Sequence, residues 1–164
     1  MITQHVLKEQ LHYDLSTGVF RWNVSHSKKI KIGQIAGTTT VKGYRAIHVD
    51  GKIYLAHRIA WLYVFGEWPK GIDHKNGIKS DNRIDNLRLA NQSQNLANIG
   101  AKKNNELGIR GVCRYGKKYR VALNKNGKQV WIGYFESLET ASLAAEKASK
   151  ELHGDFSFHN RLQH

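Results

Sequence analysis

The sequence predicts an α+β protein made of two small modules, and three observations lead to this prediction. Two dipeptides, Asp50-Gly51 and Asn126-Gly127, separate pairs of strand-like segments, and each is a residue pair that two-residue β-hairpin turns prefer. Residues 56–65 form a dense aliphatic and aromatic run that is typical of a buried helix. Near the C-terminus alanines repeat with helical spacing, which predicts a second helix with one small-residue face.

The charge of the chain points to a polyanionic partner. Its 164 residues include 26 Lys and Arg against 13 Asp and Glu, a formal net charge of +13, and its pI is near 9.9. Residues 100–164 contain 12 basic and 6 acidic residues, whereas residues 56–99 contain 6 and 4. A charge excess can also serve solubility alone, so nucleic acid is inferred only together with the motifs below.

Composition excludes several classes of protein. A single cysteine, Cys113, rules out an intramolecular disulfide framework and a multi-cysteine zinc site. No apolar run approaches the roughly 18 residues of a membrane span, and the N-terminal segment lacks the apolar stretch of a signal peptide. We therefore expect a soluble protein of the reducing cytoplasm, without a membrane partner.

The first 98 residues are predicted to alternate short strands and turns around a central helix. That helix covers Ala56–Phe65 and ends at Gly66, and a shorter helix follows a polar loop at Gln92–Asn98. Strands are predicted at Val19–Trp22, Tyr44–Val49, Lys52–Leu55 and Leu87–Ala90.

A polar, basic segment at residues 99–107 is predicted to link this part to a second module at residues 108–160. Ser137 offers an N-cap and Gly154 a C-terminal stop for a helix between them. The alanine-rich face of that helix comprises Ala141, Ala144, Ala145, Ala148 and Leu152. Strands are predicted at Gly111–Tyr115, Lys118–Lys125 and Lys128–Phe135, so the module is a three-stranded antiparallel sheet packed on one helix.

The most specific pattern lies between Ile72 and Asn98. In IDHKNGIKSDNRIDNLRLANQSQNLAN, Asp73-His74 is followed by Asn86 twelve residues after the histidine and by Asn95 nine residues further on. This spacing, with the preceding HRIAWLYVFGEWP, resembles the HNH nucleases, in the H-N-N variant of the phage and intron-encoded homing branch. The resemblance covers most of residues 10–98. It implies a phage-encoded nuclease module at residues 1–98 with a ββα-metal (His-Me finger) core at about residues 70–98.

The residue types suit hydrolysis of a phosphodiester, which needs an activated water and neutralisation of charge at the phosphate. His74 is the candidate general base, because an imidazole titrates near neutral pH. Asp73 and Asn95 are the candidate metal ligands, since carboxylate and amide oxygens suit Mg²⁺ or Mn²⁺. Asn86 would hold the loop and so orient His74. The resemblance implies the same four roles.

Each of these residues also has a structural interpretation. Taken singly, Asp73, Asn86 and Asn95 would be turn residues, because Asp and Asn are common in any exposed loop. Their joint spacing favours the nuclease site. His57 could touch a phosphate or support the metal site from behind, or it could be a structural histidine at the start of a buried helix.

The C-terminal module resembles a second family. The likeness rests on Arg110-Gly111-Val112, on the WIGYF run at Trp131–Phe135 and on the alanine-rich helix that ends in HGDF. These features resemble the AP-two/ethylene-response-factor DNA-binding domain of plants and its phage relatives. The resemblance implies a sheet that lies in the major groove of double-stranded DNA. Arg110 and Trp131 match contact positions of the plant domains, whereas other contact positions differ, so the recognised sequence is not expected to carry over.

The pleat of the predicted hairpin assigns its side chains to two faces. Pairing across Asn126-Gly127 places Val121 opposite Ile132. The face toward the helix is then predicted to hold Tyr119, Val121, Leu123, Val130, Ile132 and Tyr134. The residues expected to contact DNA are Arg110, Arg120, Asn124, Gln129 and Trp131.

Together these features predict a divalent-metal-dependent DNA endonuclease of the HNH homing type. It would cut double-stranded DNA with its first module and recognise DNA through the sheet of its second. The alternative is a DNA-binding or regulatory protein of the same fold without catalytic activity. The sequence leaves open the target site, the number of strands cut, the physiological metal and the oligomeric state.

Overall fold

Two units divide the chain in the computed structural model, which describes residues 1–25 and 27–163. The first unit spans Met1–Ala90 and the second Asn91–His164. The helix at Gln92–Ala97, which the sequence assigned to the nuclease module, thus belongs to the second unit. The functional boundaries at residues 98 and 108 stay predictions. Among the described residues, no helix has the length and apolar character needed to cross a membrane.

Among its described residues, the first unit contains two α-helices and three small antiparallel sheets. Strands β1 and β2 form a hairpin, β3, β4 and β5 form a three-stranded sheet, and β6 pairs with β7. A single 3₁₀ turn at Ile84–Asn86 leads into β7. The elements are α1 (Gln4–Gln10), β1 (Leu11–Asp14), β2 (Val19–Trp22), β3 (Thr38–Thr39), β4 (Arg45–Val49), β5 (Lys52–Leu55), α2 (Ala56–Phe65), β6 (Ile72–His74) and β7 (Leu87–Leu89).

One apolar core holds this unit together, and α2 contributes most to its centre. Ile59 of α2 is fully buried with Leu7, Phe20 and Ile47 from α1, β2 and β4. Burial of such side chains contributes roughly 1.5–3 kcal/mol each. The helix ends at Gly66, whose left-handed backbone (φ 76°) lets its N–H donate to the carbonyl of Leu62.

The predicted hairpin and helix of this unit are confirmed, whereas its N-terminal helix was not predicted. Asp50 and Gly51 have φ of 52° and 70°, as a type I′ turn requires. Helix α1 escaped the sequence analysis because only Leu7 of its seven residues is buried, which leaves no helical periodicity to detect. It begins instead with a local signal, the Thr3 hydroxyl that accepts from the N–H of Val6.

The second unit contains a three-stranded antiparallel sheet in the order β10-β9-β8, with a long helix packed against it. Val112 and Val121 of the sheet are buried with Ala141 and Ala145 of that helix. Two 3₁₀ segments follow the helix, at Gly154–Phe156 and Phe158–Gln163. The main elements are α3 (Gln92–Ala97), β8 (Val112–Tyr115), β9 (Lys118–Lys125), β10 (Lys128–Phe135) and α4 (Leu138–His153).

The register between β9 and β10 corrects one sequence prediction. Ala122 pairs with Trp131 as expected, but the register then shifts, so Val121 faces Gly133 instead of Ile132. A bulge of this kind places one extra residue on a strand and reverses the facing of those beyond it. Tyr134 therefore pairs with Arg120 and is 47% exposed, whereas alternation had placed it in the core.

Candidate active site

Strand β6 carries the Asp73-His74 pair, and both side chains are buried. The strand is short, and antiparallel pairing with β7 fixes it by placing Asp73 opposite Arg88 and His74 opposite Leu87. Leu87 belongs to the apolar core of the first unit. The Asp73-His74 pair therefore lies on a regular β-strand, and its partner strand contains a core residue.

Arg88 is a partner of Asp73 that the sequence analysis missed. Its Nη2 and Nε donate to the same carboxylate oxygen, Oδ2 of Asp73, at 2.6 and 2.9 Å. Both side chains are largely buried, so the guanidinium compensates a carboxylate that would be costly to bury alone. The cross-strand register was the available signal, because residues opposite each other on two paired strands are neighbours.

The orientation of His74 is set by the amide of Asn82. Nε2 of His74 lies 3.3 Å from Oδ1 of Asn82, and the Asn82 amide nitrogen donates to the Ser80 carbonyl at 3.1 Å. The second bond fixes which end of the amide faces the ring. In the tautomer with the proton on Nε2, this proton is donated to Asn82, and Nδ1 is the nitrogen that can accept a proton.

His57, at the start of α2, packs directly on His74. The two rings meet edge to face with centroids 5.0 Å apart. Burial, and then the charges of His74 and Arg58, lower the pKa of His57 to about 3. Its Nδ1 is buried without a hydrogen-bond partner among the described residues.

Burial also lowers the pKa of His74, against smaller opposing effects from the Asn82 hydrogen bond and the Asp73 charge. The imidazole is therefore neutral near pH 7 and able to accept a proton. Tyr44 covers both rings, with centroids 5.3 Å from His57 and 6.1 Å from His74. The ammonium group of Lys79 lies over the ring of Tyr44, 5.0 Å from its centroid.

Asn86 braces the loop that joins β6 to β7. Its Oδ1 accepts from the Asn76 N–H at 3.0 Å, and its Nδ2 donates to the Asp81 carbonyl at 2.8 Å. Asp81 accepts from the Asn76 amide and from the Arg83 guanidinium. These bonds, led by the one from Arg83, lower the pKa of Asp81 to about 2.

The β1–β2 hairpin supports the same loop from another side. Tyr13 donates its hydroxyl to the Asn82 carbonyl at 2.6 Å, and burial raises the pKa of Tyr13, so this donor stays protonated. A Cβ added to Gly18 would lie 2.3 Å from the backbone nitrogen of Arg83. Only glycine permits this approach, so the loop position depends on contacts far apart in sequence.

Asn95, the second predicted metal ligand, lies on α3 in the second unit, where it is half-buried. A capping box starts this helix, because Asn91 and Gln94 each bind the other's backbone N–H. The structure thus brings Asp73, His74, Asn86 and His57 into one unit, and Asn95 into the other.

Arg110 secures the C-terminal end of α3. Its guanidinium donates to the carbonyls of Ala97 and Ile99 and is partly buried. Burial, and then the positive charge of Arg161, lower the pKa of Arg110. Carbonyls at a helix end lack intrahelical donors, so an arginine there has a structural task as well as the predicted DNA contact.

Exposed aromatic side chains occupy the outer face of the second unit's sheet. Trp131 lies there as predicted, and Tyr115 and Tyr134, which the sequence analysis did not assign to this face, lie beside it. Arg120, Asn124 and Gln129 are on the same face by their pairing. Arg110 is separate from this set and lines, with Asn124, a groove of about 950 Å³ bounded by α3 and the β9–β10 hairpin.

The donor types around Asp73 fit a divalent metal ion, with one competing contact. A carboxylate and neutral imidazoles are ordinary ligands, and Nδ1 of His57 is a buried nitrogen to which no described residue supplies a hydrogen bond. Arg88 competes for Oδ2 of Asp73. In the described ranges, no three His, Cys, Asp or Glu side chains are placed together as a metal cluster.

Comparison with known proteins identifies one family model that overlaps this part of the chain. Residues 54–97 match the model of the HNH endonuclease family. The match suggests nuclease activity with DNA as the substrate, and nucleases of this family typically use a divalent metal ion. No solved structure matches the chain significantly.

A relative from a bacteriophage shares a large part of the sequence. Protein 3.8 of Escherichia phage T7 is 32% identical over 106 residues, an alignment that covers 61% of this chain and 85% of the relative. The chain therefore belongs to the protein family that includes phage T7 protein 3.8, and it carries an HNH endonuclease segment at residues 54–97.

Proposed function

We propose that this protein is a phage-encoded DNA endonuclease of the HNH homing type that hydrolyses phosphodiester bonds of double-stranded DNA with His74 as the general base. The observation that carries the proposal is the state of His74. Its buried, neutral imidazole is held between Asn82 and His57 inside the segment that matches the HNH family.

Each residue near His74 has a defined part in the hydrolysis. Nδ1 of His74 takes a proton from water while Nε2 donates to Asn82, and the hydroxide formed attacks phosphorus. The bond to the 3′ oxygen breaks, and this oxygen takes a proton from solvent water, which leaves a 5′-phosphate and a 3′-hydroxyl. Asn86 keeps the loop, and with it Asn82, in place through two backbone contacts. Tyr44 and His57 shield the base from bulk water.

Asp73 and Asn95 are the proposed ligands of a divalent ion, with Mg²⁺ or Mn²⁺ suited to their oxygen atoms. When bound, the ion supplies positive charge to the phosphate oxygens and the leaving group. Asp73 contributes from the middle of β6, and Arg88 holds its carboxylate in one orientation. The part of Asn95 rests on its spacing from Asp73-His74 in the sequence.

The second unit is proposed to bind DNA through the outer face of its sheet. The strand region 112–135 contains six Lys and Arg and no Asp or Glu, so charge favours a phosphate backbone there. Arg120, Asn124, Gln129 and Trp131 are the proposed contacts on this face, and Arg110, which lines a groove with Asn124, is a further candidate.

Nicking of supercoiled plasmid tests the enzymatic proposal. Relaxed plasmid is expected with Mg²⁺ or Mn²⁺ and not with a chelator, and a ligase should reseal the nicks directly, because the ends carry 5′-phosphate and 3′-hydroxyl groups. Absence of cleavage over a range of divalent ions and DNA sequences would contradict the proposal.

The ion pair between Asp73 and Arg88 favours a second candidate function, a DNA-binding protein without catalysis. A carboxylate that is already neutralised by a guanidinium binds a cation less strongly. The same plasmid assay distinguishes the two functions, because the second predicts a shift of DNA mobility without relaxation at any divalent ion concentration.

A further inference from the structure

We propose that the outer face of the second unit's sheet binds an unpaired DNA strand by stacking its bases on Tyr115, Trp131 and Tyr134. The inference rests on the proposed function in taking DNA as the ligand, and it adds the form of DNA that this surface prefers. Three exposed rings carry it, with Tyr134 in contact with both Tyr115 and Trp131.

The three rings form one aromatic cluster at the solvent surface. Tyr115, Trp131 and Tyr134 are 58%, 52% and 47% exposed. The centroid of Tyr134 lies 5.0 Å from that of Tyr115 and 4.8 Å from that of Trp131. Large aromatic side chains exposed together are unusual in a protein surface that binds nothing, because each leaves apolar area in water.

The β-bulge in β10 creates this cluster. Without the register shift between Trp131 and Gly133, Tyr134 would face the helix α4 side of the sheet. With it, Tyr134 stands across from Arg120, on the face that carries Trp131. One residue of β10 is thus left out of the regular pairing, and a third aromatic ring lies at the surface.

Charge around the cluster suits a nucleic acid strand. Region 112–135 contains six basic and no acidic residues, and one of the six, Lys118, forms an ion pair with Glu136 just beyond it. Arg120 lies between the two tyrosine-bearing strands, and its Nε is buried without a hydrogen-bond partner among the described residues. Surfaces that bind unpaired strands combine these two features, positive charge for the backbone and aromatic rings for the bases.

The rings suit unpaired bases better than the edges of paired ones. In a duplex the faces of the bases are covered by their neighbours, and proteins read the edges with polar donors and acceptors. The hydroxyl of Tyr134 already interacts with that of Tyr115, and partial desolvation together with this interaction raises the pKa of Tyr134. The cluster therefore offers ring faces more than hydrogen bonds.

Binding of unpaired and duplex DNA by the full chain tests the inference. The protein carries His74→Ala and is kept in chelator, so that no DNA is cut, and the probe is a labelled thymidine homopolymer of about 20 nucleotides, longer than the ~4–16 nucleotides such surfaces cover. Tyr115→Ala and Tyr134→Ala are each expected to weaken this binding about tenfold, and to change affinity for a duplex of equal length much less. Tyr134→Phe keeps the ring and should retain wild-type affinity.

Three controls separate base stacking from unfolding. Leu143→Ala removes a comparably exposed apolar side chain from α4 and should leave binding unchanged. Trp131 is the one tryptophan after residue 68, so quenching of tryptophan fluorescence by the homopolymer, lost in Trp131→Phe, reports contact at the sheet of the intact protein. Thermal melting of each variant confirms that it is folded.

Several results would overturn the inference. Equal loss of unpaired and duplex binding in the tyrosine variants would show a general DNA surface, and unchanged binding would show that the strand lies elsewhere. Tighter binding of the corresponding RNA would reject DNA as the ligand. Plasmid nicking by the chain with native His74 is measured separately, so failure of stacking and failure of catalysis are distinguishable.

Discussion

The imidazole rings of His57 and His74 meet edge to face, with centroids 5.0 Å apart, and join the first turn of α2 to the end of β6. Two charged imidazoles at this separation would repel each other, and burial further disfavours charge on either ring. Both are therefore neutral near pH 7. His57 can then hold the ring of His74 by packing, while its own low pKa keeps it from competing for the proton.

Removal of the proposed base should stop cleavage without loss of DNA binding. His74→Ala is expected to lower the rate of plasmid nicking by about 10²–10⁴-fold, the contribution of a positioned general base. His48→Ala removes an exposed imidazole from β4 and serves as the control. A His74→Ala protein that nicks as fast as wild type would reject the assignment.

Protonation of His57 should link stability to pH. Its folded pKa of about 3 lies below the ordinary value of 6.5, so between these values the unfolded chain binds a proton that the folded chain does not. Stability is thus complete above pH 6.5 and falls as the pH is lowered, by about 2 kcal/mol at pH 5 for this group.

Urea denaturation at pH 8 and pH 5, with chelator present, measures this loss in wild type and in His57→Phe. The variant keeps an aromatic ring and removes the titrating group. Its free energy of unfolding should therefore fall by about 2 kcal/mol less than that of wild type over this pH range. Asp14 and Asp81, with pKa values lowered to about 2, destabilise only at more acidic pH, because their ordinary value is 3.8. Identical pH dependence in the two proteins would contradict the prediction.

Asn86→Ala should weaken the loop and leave the metal requirement unchanged. The variant loses contacts to the partly buried Asn76 N–H and Asp81 carbonyl, and the loss of one such hydrogen bond costs about 0.5–1.5 kcal/mol. We expect a lower cleavage rate and a lower free energy of unfolding, with the same divalent ion concentration for half-maximal rate. Ser80→Ala, at an exposed position of the same loop, is the matched control.

Asp73→Ala and Asn95→Ala should each raise the concentration of Mg²⁺ or Mn²⁺ that gives half-maximal cleavage. The reason is that each removes a proposed oxygen ligand. Titration of nicking rate against metal concentration gives the midpoint for each variant. If Asn86→Ala moved the midpoint as far as Asp73→Ala does, the division of roles between ligand and orienting residue would be wrong.

Local signals explain what the sequence could predict of the fold. Asp50-Gly51 and Asn126-Gly127 specify their turns through the backbone angles those residues tolerate, and the apolar run of α2 specifies burial directly. Helix α4 has Ser137 as its N-cap and ends before Gly154, as the sequence predicted. Each of these features depends on neighbours in the sequence.

Features that depend on pairing between distant residues could not be predicted in the same way. The place of Tyr134 follows from a bulge that residue alternation does not encode. Arg88 reaches Asp73 only through the β6–β7 register. The guanidinium of Arg110 donates to carbonyls at the end of α3. These carbonyls need a donor only because the helix ends there, so the contact depends on the formed helix. The roles of the candidate site residues stay predictions, since packing alone does not test chemistry.

The last prediction contrasts two residues on one face of the second unit's sheet. Arg120→Ala should lower affinity for an unpaired strand and flatten its salt dependence, because each phosphate contact adds about 0.7 to the slope of log K against log salt on single strands. Trp131→Ala should lower affinity with little change of slope, since an indole carries no charge. Titration of labelled DNA at several salt concentrations gives both the affinity and its salt dependence.

Because Trp131 lies outside the core, the Trp131→Ala variant should also melt near the wild-type temperature. If Trp131→Ala instead unfolded the unit while Arg120→Ala bound normally, the outer face would be a structural surface, and DNA would have to bind elsewhere.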